Sequence, residues 1–166
     1  MREDSVNKKQ KVPYDLKSQI LVVDDDLTIL KFFKIQLNKF FSHVSVASNA
    51  FDAVEILKNT QIDLVISDVN MPKMSGVDLM HHIVQYYPTV LTILISGASL
   101  SEFQKEDVLA ADGYMRKPFS IAFLNEQIKV ALKGQKKLVK LAENMKEKQK
   151  LRKLMQKELQ VEDCVA

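Results

Sequence analysis

Five short apolar runs alternate with stretches of helical periodicity along most of this sequence. Such runs are typical of strands buried on both faces of a parallel sheet, and the segments between them are long enough for right-handed crossovers. The pattern predicts an α/β fold, a doubly wound, five-stranded parallel sheet in the flavodoxin-like order 2-1-3-4-5 with five helices. The predicted strands are residues 19–23, 44–47, 62–68, 90–95 and 113–115, and the predicted helices are 27–41, 50–59, 76–86, 101–110 and 121–132.

Local signals refine the helices of this pattern. Thr28 and Ser120 are the expected N-caps of the first and last helices, because hydroxyl side chains can accept from the free N–H groups of a first turn. In the third helix, apolar spacing predicts that Val77, Met80 and Val84 face the core. The first apolar run is not followed by a glycine-rich fingerprint, which argues against a dinucleotide-binding site.

Polar side chains follow four of the predicted strands at their carboxyl ends. Asp68 ends the third run, an acidic triplet (24–26) ends the first, Ser96 ends the fourth, and Lys117 follows the fifth. Each has an ordinary explanation alone, as a helix N-terminus, a strand-end cap or a surface lysine. Because open α/β sheets bind ligands at the carboxyl ends of their strands, we expect these side chains to share one site.

This set of side chains points to phosphoryl transfer. Several carboxylates a few ångströms apart repel one another unless a cation joins them, and an oxygen-rich set without Cys or His suits Mg²⁺. Asp68 is then the expected nucleophile, forming an aspartyl phosphate. The metal and Lys117 would neutralise the charge on the phosphoryl oxygens, and the Ser96 hydroxyl would donate to one of them.

Four motifs in order carry a specific resemblance to a known family. They are LVVDD (21–25), ISDVNMP (66–72), ILISGA (93–98) and GYMRKPF (113–119). Across about residues 18–133 the chain resembles the receiver domain of two-component response regulators, of the chemotaxis-regulator type. The family often has Asp before the glycine of its second motif, where this chain has Ser75, and either residue can cap the helix that begins there.

The resemblance implies a role for each residue at the site. It implies a receiver in phosphorelay signalling that accepts a phosphoryl group from a histidine kinase or phosphotransfer protein and then switches conformation to control an effector. It also implies Mg²⁺ or Mn²⁺ as cofactor and a cis Lys117–Pro118 bond. The implied roles are phosphoacceptor (Asp68), side-chain metal ligands (Asp25 and Asp68), backbone metal ligand (Asn70), an acid acting through metal-bound water (Asp24), switch residues (Ser96 and Tyr114) and phosphate-pairing lysine (Lys117).

Both ends of the chain differ in charge from its middle. We expect residues 1–17 to be a mobile leader. Residues 134–166 hold 9 Lys and Arg against 5 Asp and Glu, a net charge of +4. Their composition predicts a helical extension, and residues 135–160 could form a homodimeric coiled coil or a linker to an effector outside this chain, which would make the chain a fragment. One Cys and no membrane-length apolar run fit a cytoplasmic protein without a membrane segment.

Three other functions compete with this one. Residues 24–28 also fit the D-x-D-x-T pattern of haloacid-dehalogenase-like phosphatases, with Asp24 as nucleophile and Asp26 as general acid. That assignment leaves the motif around Asp68 unexplained and lacks a later acidic pair. An interaction module that is never phosphorylated does not account for the intact Asp, Ser and Lys set. No recognition motif supports DNA binding through the basic tail, so no nucleic-acid partner is expected. The chain is predicted to be a signalling protein, not an enzyme.

Overall fold

A parallel sheet organises the part of the chain that the structure describes. The computed structural model describes residues 17–98, 103–104, 107 and 110–135. The five strands lie in the order β2-β1-β3-β4-β5, with each neighbouring pair parallel, which confirms the predicted sheet. They are β1 (Gln19–Val23), β2 (His43–Ala47), β3 (Leu64–Asp68), β4 (Leu91–Ser96) and β5 (Gly113–Arg116).

Four helices can be bounded in the described residues. They are α1 (Leu27–Leu37), α2 (Ala50–Asn59), α3 (Gly76–Tyr86) and a helix over residues 121–135. The predicted fourth helix, 101–110, falls mostly outside the described residues, although Asp107 and Ala110 are helical. The leader before residue 17 and the extension beyond residue 135 also lie outside them. None of the helices searched in the described part is long and apolar enough to cross a membrane.

Apolar side chains fill both faces of the sheet. One face packs against α1 and helix 121–135, and the other packs against α2 and α3. All five residues of β3 are buried, as expected for the central strand of a sheet covered on both sides. The first face includes the buried residues Ile20, Phe33, Ile66, Leu124 and Ile128, and the second includes Leu21, Val65, Leu79 and Ile83.

The helix caps and buried faces correct two predictions. The N-cap of α1 is Asp26, not Thr28, because the Asp26 carboxylate accepts from the N–H groups of Thr28 and Ile29. A carboxylate at a helix N-terminus also interacts favourably with the helix dipole. In α3, Val84 is 48% exposed and Ile83 is buried. At this turn of the helix Ile83 faces the core, and the predicted Val84 does not.

Ser75 caps α3 as predicted. Its hydroxyl accepts from the Asp78 N–H, and the Asp78 carboxylate in turn accepts from the Ser75 N–H, which forms a capping box. The Ser75 hydrogen bonds hold the pKa of the Asp78 carboxyl below its usual value. The serine that departs from the family motif is therefore a competent cap.

Gly76 brings the start of α3 against the end of β3. A Cβ atom at this position would lie 2.1 Å from the Asp68 carbonyl oxygen and 2.9 Å from the Ser67 hydroxyl oxygen. The Gly76 N–H donates to the Val69 carbonyl at 3.0 Å, which joins the two segments directly. Glycine is required here by the close approach of two backbones, since any side chain would separate them.

We expect Gly76→Ala to lower the free energy of unfolding by about 3 kcal/mol, because the added methyl group collides with backbone atoms. Gly134→Ala is the matched control. A Cβ atom at position 134, within helix 121–135, meets nothing within 4 Å. That substitution should stabilise the protein by about 0.5–1 kcal/mol through helix propensity. Urea unfolding followed by circular dichroism measures both, and equal effects would contradict the proposed collision.

Candidate functional site

Two buried carboxylates and one ammonium group meet at the carboxyl ends of the strands. The Lys117 ammonium nitrogen lies 2.6 Å from Asp68 Oδ1 and 3.5 Å from Asp24 Oδ2. Asp24 follows β1, Asp68 ends β3 and Lys117 follows β5. The parallel sheet thus brings together three side chains that are far apart in sequence, as the strand-end argument predicted.

Burial makes this arrangement electrostatically demanding. Asp24 is 3% exposed and Asp68 is 7% exposed. Burial raises the pKa of the Asp24 carboxyl, although the Asp26 N–H and the charge of Lys117 oppose the shift. Partial burial acts to lower the pKa of Lys117, but the hydrogen bond and charge of Asp68 outweigh it, so that the pKa of Lys117 is raised. Lys117 is therefore held as a cation beside two carboxylates.

Backbone hydrogen bonds fix the directions of both carboxylates. Asp68 Oδ2 accepts from the Asn70 N–H at 2.9 Å, and Asp24 Oδ1 accepts from the Asp26 N–H at 2.9 Å. Each carboxylate therefore uses one oxygen for a local N–H group and the other for Lys117. Since neither side chain can rotate without breaking a hydrogen bond, the pocket is preorganised.

The chain around Lys117 is anchored to the neighbouring strand. The Lys117 N–H donates to the Ser96 carbonyl at 2.7 Å, just beyond the β4–β5 ladder. The Lys117–Pro118 peptide bond is cis, as the resemblance implied.

Ser96 and Tyr114 both bind the backbone of Ala98. The buried Ser96 hydroxyl oxygen accepts from the Ala98 N–H at 3.0 Å, and the Tyr114 hydroxyl donates to the Ala98 carbonyl at 2.5 Å. Tyr114 is half-buried, and its ring meets the edge of Phe103 with centroids 5.4 Å apart. Sequence reasoning missed Ala98 and Phe103, since Ala98 contributes only backbone atoms and no motif marks Phe103 as a contact of Tyr114.

The other predicted metal ligands lie at the rim of the pocket. Asp25 and Asn70 are exposed. Among the described residues, no group of three or more His, Cys, Asp and Glu side chains is close enough to hold a metal ion. The donor chemistry nevertheless fits a divalent cation, because two buried carboxylates face one ammonium group and leave a net negative charge. Carboxylate and backbone carbonyl oxygens are the ligands that Mg²⁺ prefers.

Comparison with known proteins is consistent across sequence and structure. The family model of the response regulator receiver domain matches residues 20–129. The chain is 32% identical over 113 residues to the heme response regulator HssR of Staphylococcus saprophyticus, an alignment that covers 68% of this chain and 50% of that protein. The chain thus spans half the length of this relative.

Solved structures with the same fold are also similar in sequence. A response regulator receiver domain protein from Clostridium thermocellum superposes with a TM-score of 0.67 and 31% identity, covering 73% of this chain and 98% of that one. The response regulator TrrA from Thermotoga maritima, solved in complex with Mg²⁺ and a beryllium fluoride, superposes with a TM-score of 0.63 and 30% identity, covering 69% and 98%.

We expect Lys117→Met to lower the free energy of unfolding at pH 7 by roughly 1–2 kcal/mol, because it leaves two buried carboxylates without their cation. The loss should be smaller than for a fully buried pair, since the Lys117 side chain is 34% exposed and solvent screens its charge. Added Mg²⁺ should stabilise this variant more than the wild type, because no ammonium group competes for the carboxylates. Thermal unfolding with and without MgCl₂ measures both effects.

Lys58→Met is the control for this experiment. Lys58 pairs with Glu55 on the surface of α2, where both side chains are more than half exposed. Its loss should change the free energy of unfolding by less than about 0.5 kcal/mol. Equal stability of the Lys117 and Lys58 variants, with equal responses to Mg²⁺, would show that Lys117 does not balance the charge of the pocket.

Proposed function

Because the chain belongs to the response regulator receiver family of two-component systems, we propose that Asp68 is its phosphoacceptor. The observation that carries this proposal is the position of Asp68, a buried carboxylate at the end of the central strand with Lys117 2.6 Å from one oxygen. Receiver domains exchange phosphoryl groups with histidine kinases or phosphotransfer proteins. We propose a partner of this class for Asp68, and a signalling role instead of catalysis on external substrates.

The proposed reaction uses groups already held in place. An Asp68 carboxylate oxygen attacks the phosphorus atom, a new O–P bond forms, and the bond between phosphorus and the donor's leaving atom breaks. Lys117 then pairs with the negative oxygens of the transferred group. The Asn70 N–H holds the other Asp68 oxygen, so that the attacking oxygen keeps its direction. Water has little access to the buried carboxylate, which strengthens these electrostatic interactions.

We propose that Asp24, Asp25, Asp68 and the Asn70 carbonyl would hold Mg²⁺ or Mn²⁺, with Asp24 acting through water. The bound ion would supply positive charge to the phosphoryl oxygens during transfer. The buried Asp24 and Asp68 support this proposal, as does the magnesium complex of TrrA. Asp25 is exposed beside them and makes no ion pair among those found in the described residues, so its side chain is available to turn inward.

The proposed switch runs through the peptide groups of Ala98. The Ser96 hydroxyl can donate to a phosphoryl group on Asp68 while its oxygen still accepts from the Ala98 N–H, so a movement of Ser96 toward that group would displace the Ala98 segment. The Ala98 carbonyl is the acceptor for Tyr114, so a shift of this segment changes the position of the tyrosine ring. Tyr114 and Phe103 then repack together, which would alter the surface offered to an effector.

The role of the C-terminal extension stays a prediction. Helix 121–135 continues through Gly134 to Gln135, which supports a helical connection into the extension. A homodimer through residues 135–160, or a link to an effector, remains our proposal for that part of the chain.

The phosphoacceptor is tested by intact mass after incubation with acetyl phosphate and Mg²⁺. We expect the wild type to gain the mass of one HPO₃ group as acetate leaves, and Asp68→Asn to gain nothing. Omission of Mg²⁺ with excess chelator should abolish or strongly slow the gain. The control is Asp63→Asn, because Asp63 precedes the same strand at its opposite end and accepts from the Gln19 N–H. This variant should be phosphorylated like the wild type.

An adduct on Asp68→Asn, or its loss from Asp63→Asn alone, would contradict this assignment. Phosphate-ester hydrolysis abolished by Asp24→Asn would instead support the phosphatase alternative. The structure disfavours that alternative, since Asp26, its required general acid, is occupied as the N-cap of α1.

The switch is tested by ¹⁹F NMR of protein labelled with 3-fluorotyrosine, with the Tyr114 signal assigned from Tyr114→Phe. In the wild type, phosphorylation should shift this signal. In Ser96→Ala the adduct should still form but the shift should largely vanish, because the hydroxyl that links the phosphoryl group to Ala98 is missing. Ser96→Thr keeps a hydroxyl and should keep the shift. A full shift in Ser96→Ala would show that this hydroxyl is not the trigger.

A further inference from the structure

Ser67 immediately precedes the proposed phosphoacceptor, Asp68. Its hydroxyl contacts the main chain of Asp68 and not the Asp68 carboxylate. Ser67 is the fourth residue of β3 and only 3% exposed. Its hydroxyl donates to the carbonyl oxygen of Asp68 at 2.9 Å. Most buried hydroxyl groups have a hydrogen-bond partner, and this one donates to the backbone of the residue that follows it.

The first residue of α3, Gly76, packs against the same Ser67 hydroxyl and Asp68 carbonyl. Gly76 approaches both so closely that its missing Cβ atom would lie 2.1 Å from the Asp68 oxygen and 2.9 Å from the Ser67 oxygen. The Gly76 N–H donates to Val69, the next residue along the chain. The Asp68–Val69 peptide group therefore lies between the Ser67 hydroxyl and the first turn of α3.

Hydrogen bonds to the Asp68 carboxylate and to the peptide group that follows it define how Asp68 is held. Lys117 donates to Oδ1 and the Asn70 N–H donates to Oδ2. Ser67 donates to the carbonyl oxygen of the Asp68–Val69 peptide group, and the N–H of that group donates to the Ile95 carbonyl at 2.9 Å, so that hydrogen bonds on both sides restrain its rotation. Since the Asn70 N–H lies on the chain that follows this peptide group, rotation of the group would also displace the donor that aims the carboxylate.

We propose that Ser67 is a positioning residue for phosphoryl transfer. It acts through the main chain of Asp68 and touches neither the phosphoryl group nor the donor. Its hydroxyl keeps the carboxylate in the direction required for in-line attack, and small errors in such a direction cost rate. This inference rests on the proposed function, because it assigns Ser67 a role only if Asp68 is phosphorylated.

Thr92 provides a matched comparison on the neighbouring strand. It is 2% exposed, and its hydroxyl oxygen has no hydrogen-bond partner among the residues that the structure describes. It pairs with Val65 in the middle of the sheet, three positions before the Asp68–Ile95 pair. Removing this hydroxyl with Thr92→Val changes a buried strand residue without touching any hydrogen bond of Asp68, so it separates positioning from a general effect of core substitution.

The test measures phosphorylation rates and stability on the same samples. Wild type, Ser67→Ala, Ser67→Thr and Thr92→Val are incubated with Mg²⁺ and a series of acetyl phosphate concentrations, and the adduct is followed by intact mass. The series gives a limiting rate and a half-saturating concentration for each protein. We expect the limiting rate of Ser67→Ala to fall by roughly 5-fold or more, with little change in half-saturation. Thr92→Val should match the wild type, and Ser67→Thr should recover most of the rate by restoring the hydroxyl.

The outcomes separate the two proposals. If the wild type forms no adduct that Asp68→Asn abolishes, the proposed function itself fails. If the wild type is phosphorylated and Ser67→Ala reaches the same limiting rate while only its unfolding midpoint falls, Ser67 is structural and the inference is overturned. An equal loss of rate in Thr92→Val would overturn it as well. Should Ser67→Ala not fold, Ser67→Cys replaces it, because a thiol of similar shape is a weaker donor and should slow the limiting rate relative to Ser67→Thr.

Discussion

The interaction on which the site depends is the pairing of two buried carboxylates with one lysine. Asp24 and Asp68 are almost fully buried. Two negative charges that water does not screen are strongly unfavourable in such a site. Lys117 offsets part of that cost by contacting both. The remaining negative charge would favour a divalent cation, and the positive charges of that cation and of Lys117 would offset the negative oxygens of a phosphoryl donor. The charge balance of the pocket therefore bears on both its stability and its chemistry.

The parallel sheet places the three residues of this pairing at one edge. In a parallel sheet every strand ends at the same edge, so residues that follow β1, β3 and β5 are brought to one side of the molecule. The central strand is buried along its whole length, which holds Asp68 in a rigid position. Gly76 then allows α3 to begin directly against that strand. The main chain near the pocket is consequently better ordered by packing than a surface loop would be.

Local patterns predicted most of this arrangement, and the exceptions have physical causes. Apolar runs predicted the strands, the alternation of strands and helices predicted the order of the sheet, and polar residues after β1, β3 and β5 predicted the charged members of the site. The α1 cap was misassigned because all three consecutive acids were assigned to the site, although N-cap preferences rank Asp26 above Thr28. The inward face of α3 was misplaced at Val84 because Ile83 beside it is equally apolar. Ala98 contributes only backbone atoms, and the Ser67 hydroxyl contacts a backbone carbonyl, so side-chain patterns carry no signal for these contacts.

The sequence separation inside the pocket has a consequence for how the protein is made. Lys117 lies 49 residues after Asp68 and 93 residues after Asp24. The ribosome therefore adds both aspartates long before it adds the lysine whose charge offsets theirs. Domains fold during or after synthesis from the N-terminus onward, so β1 and β3 cannot bury these acids in a charge-balanced core until β5, an edge strand, has joined the sheet. Because β5 is the last strand of this sheet in sequence, it completes the electrostatic balance of the pocket that β1 and β3 begin, and this couples the two ends of the sheet.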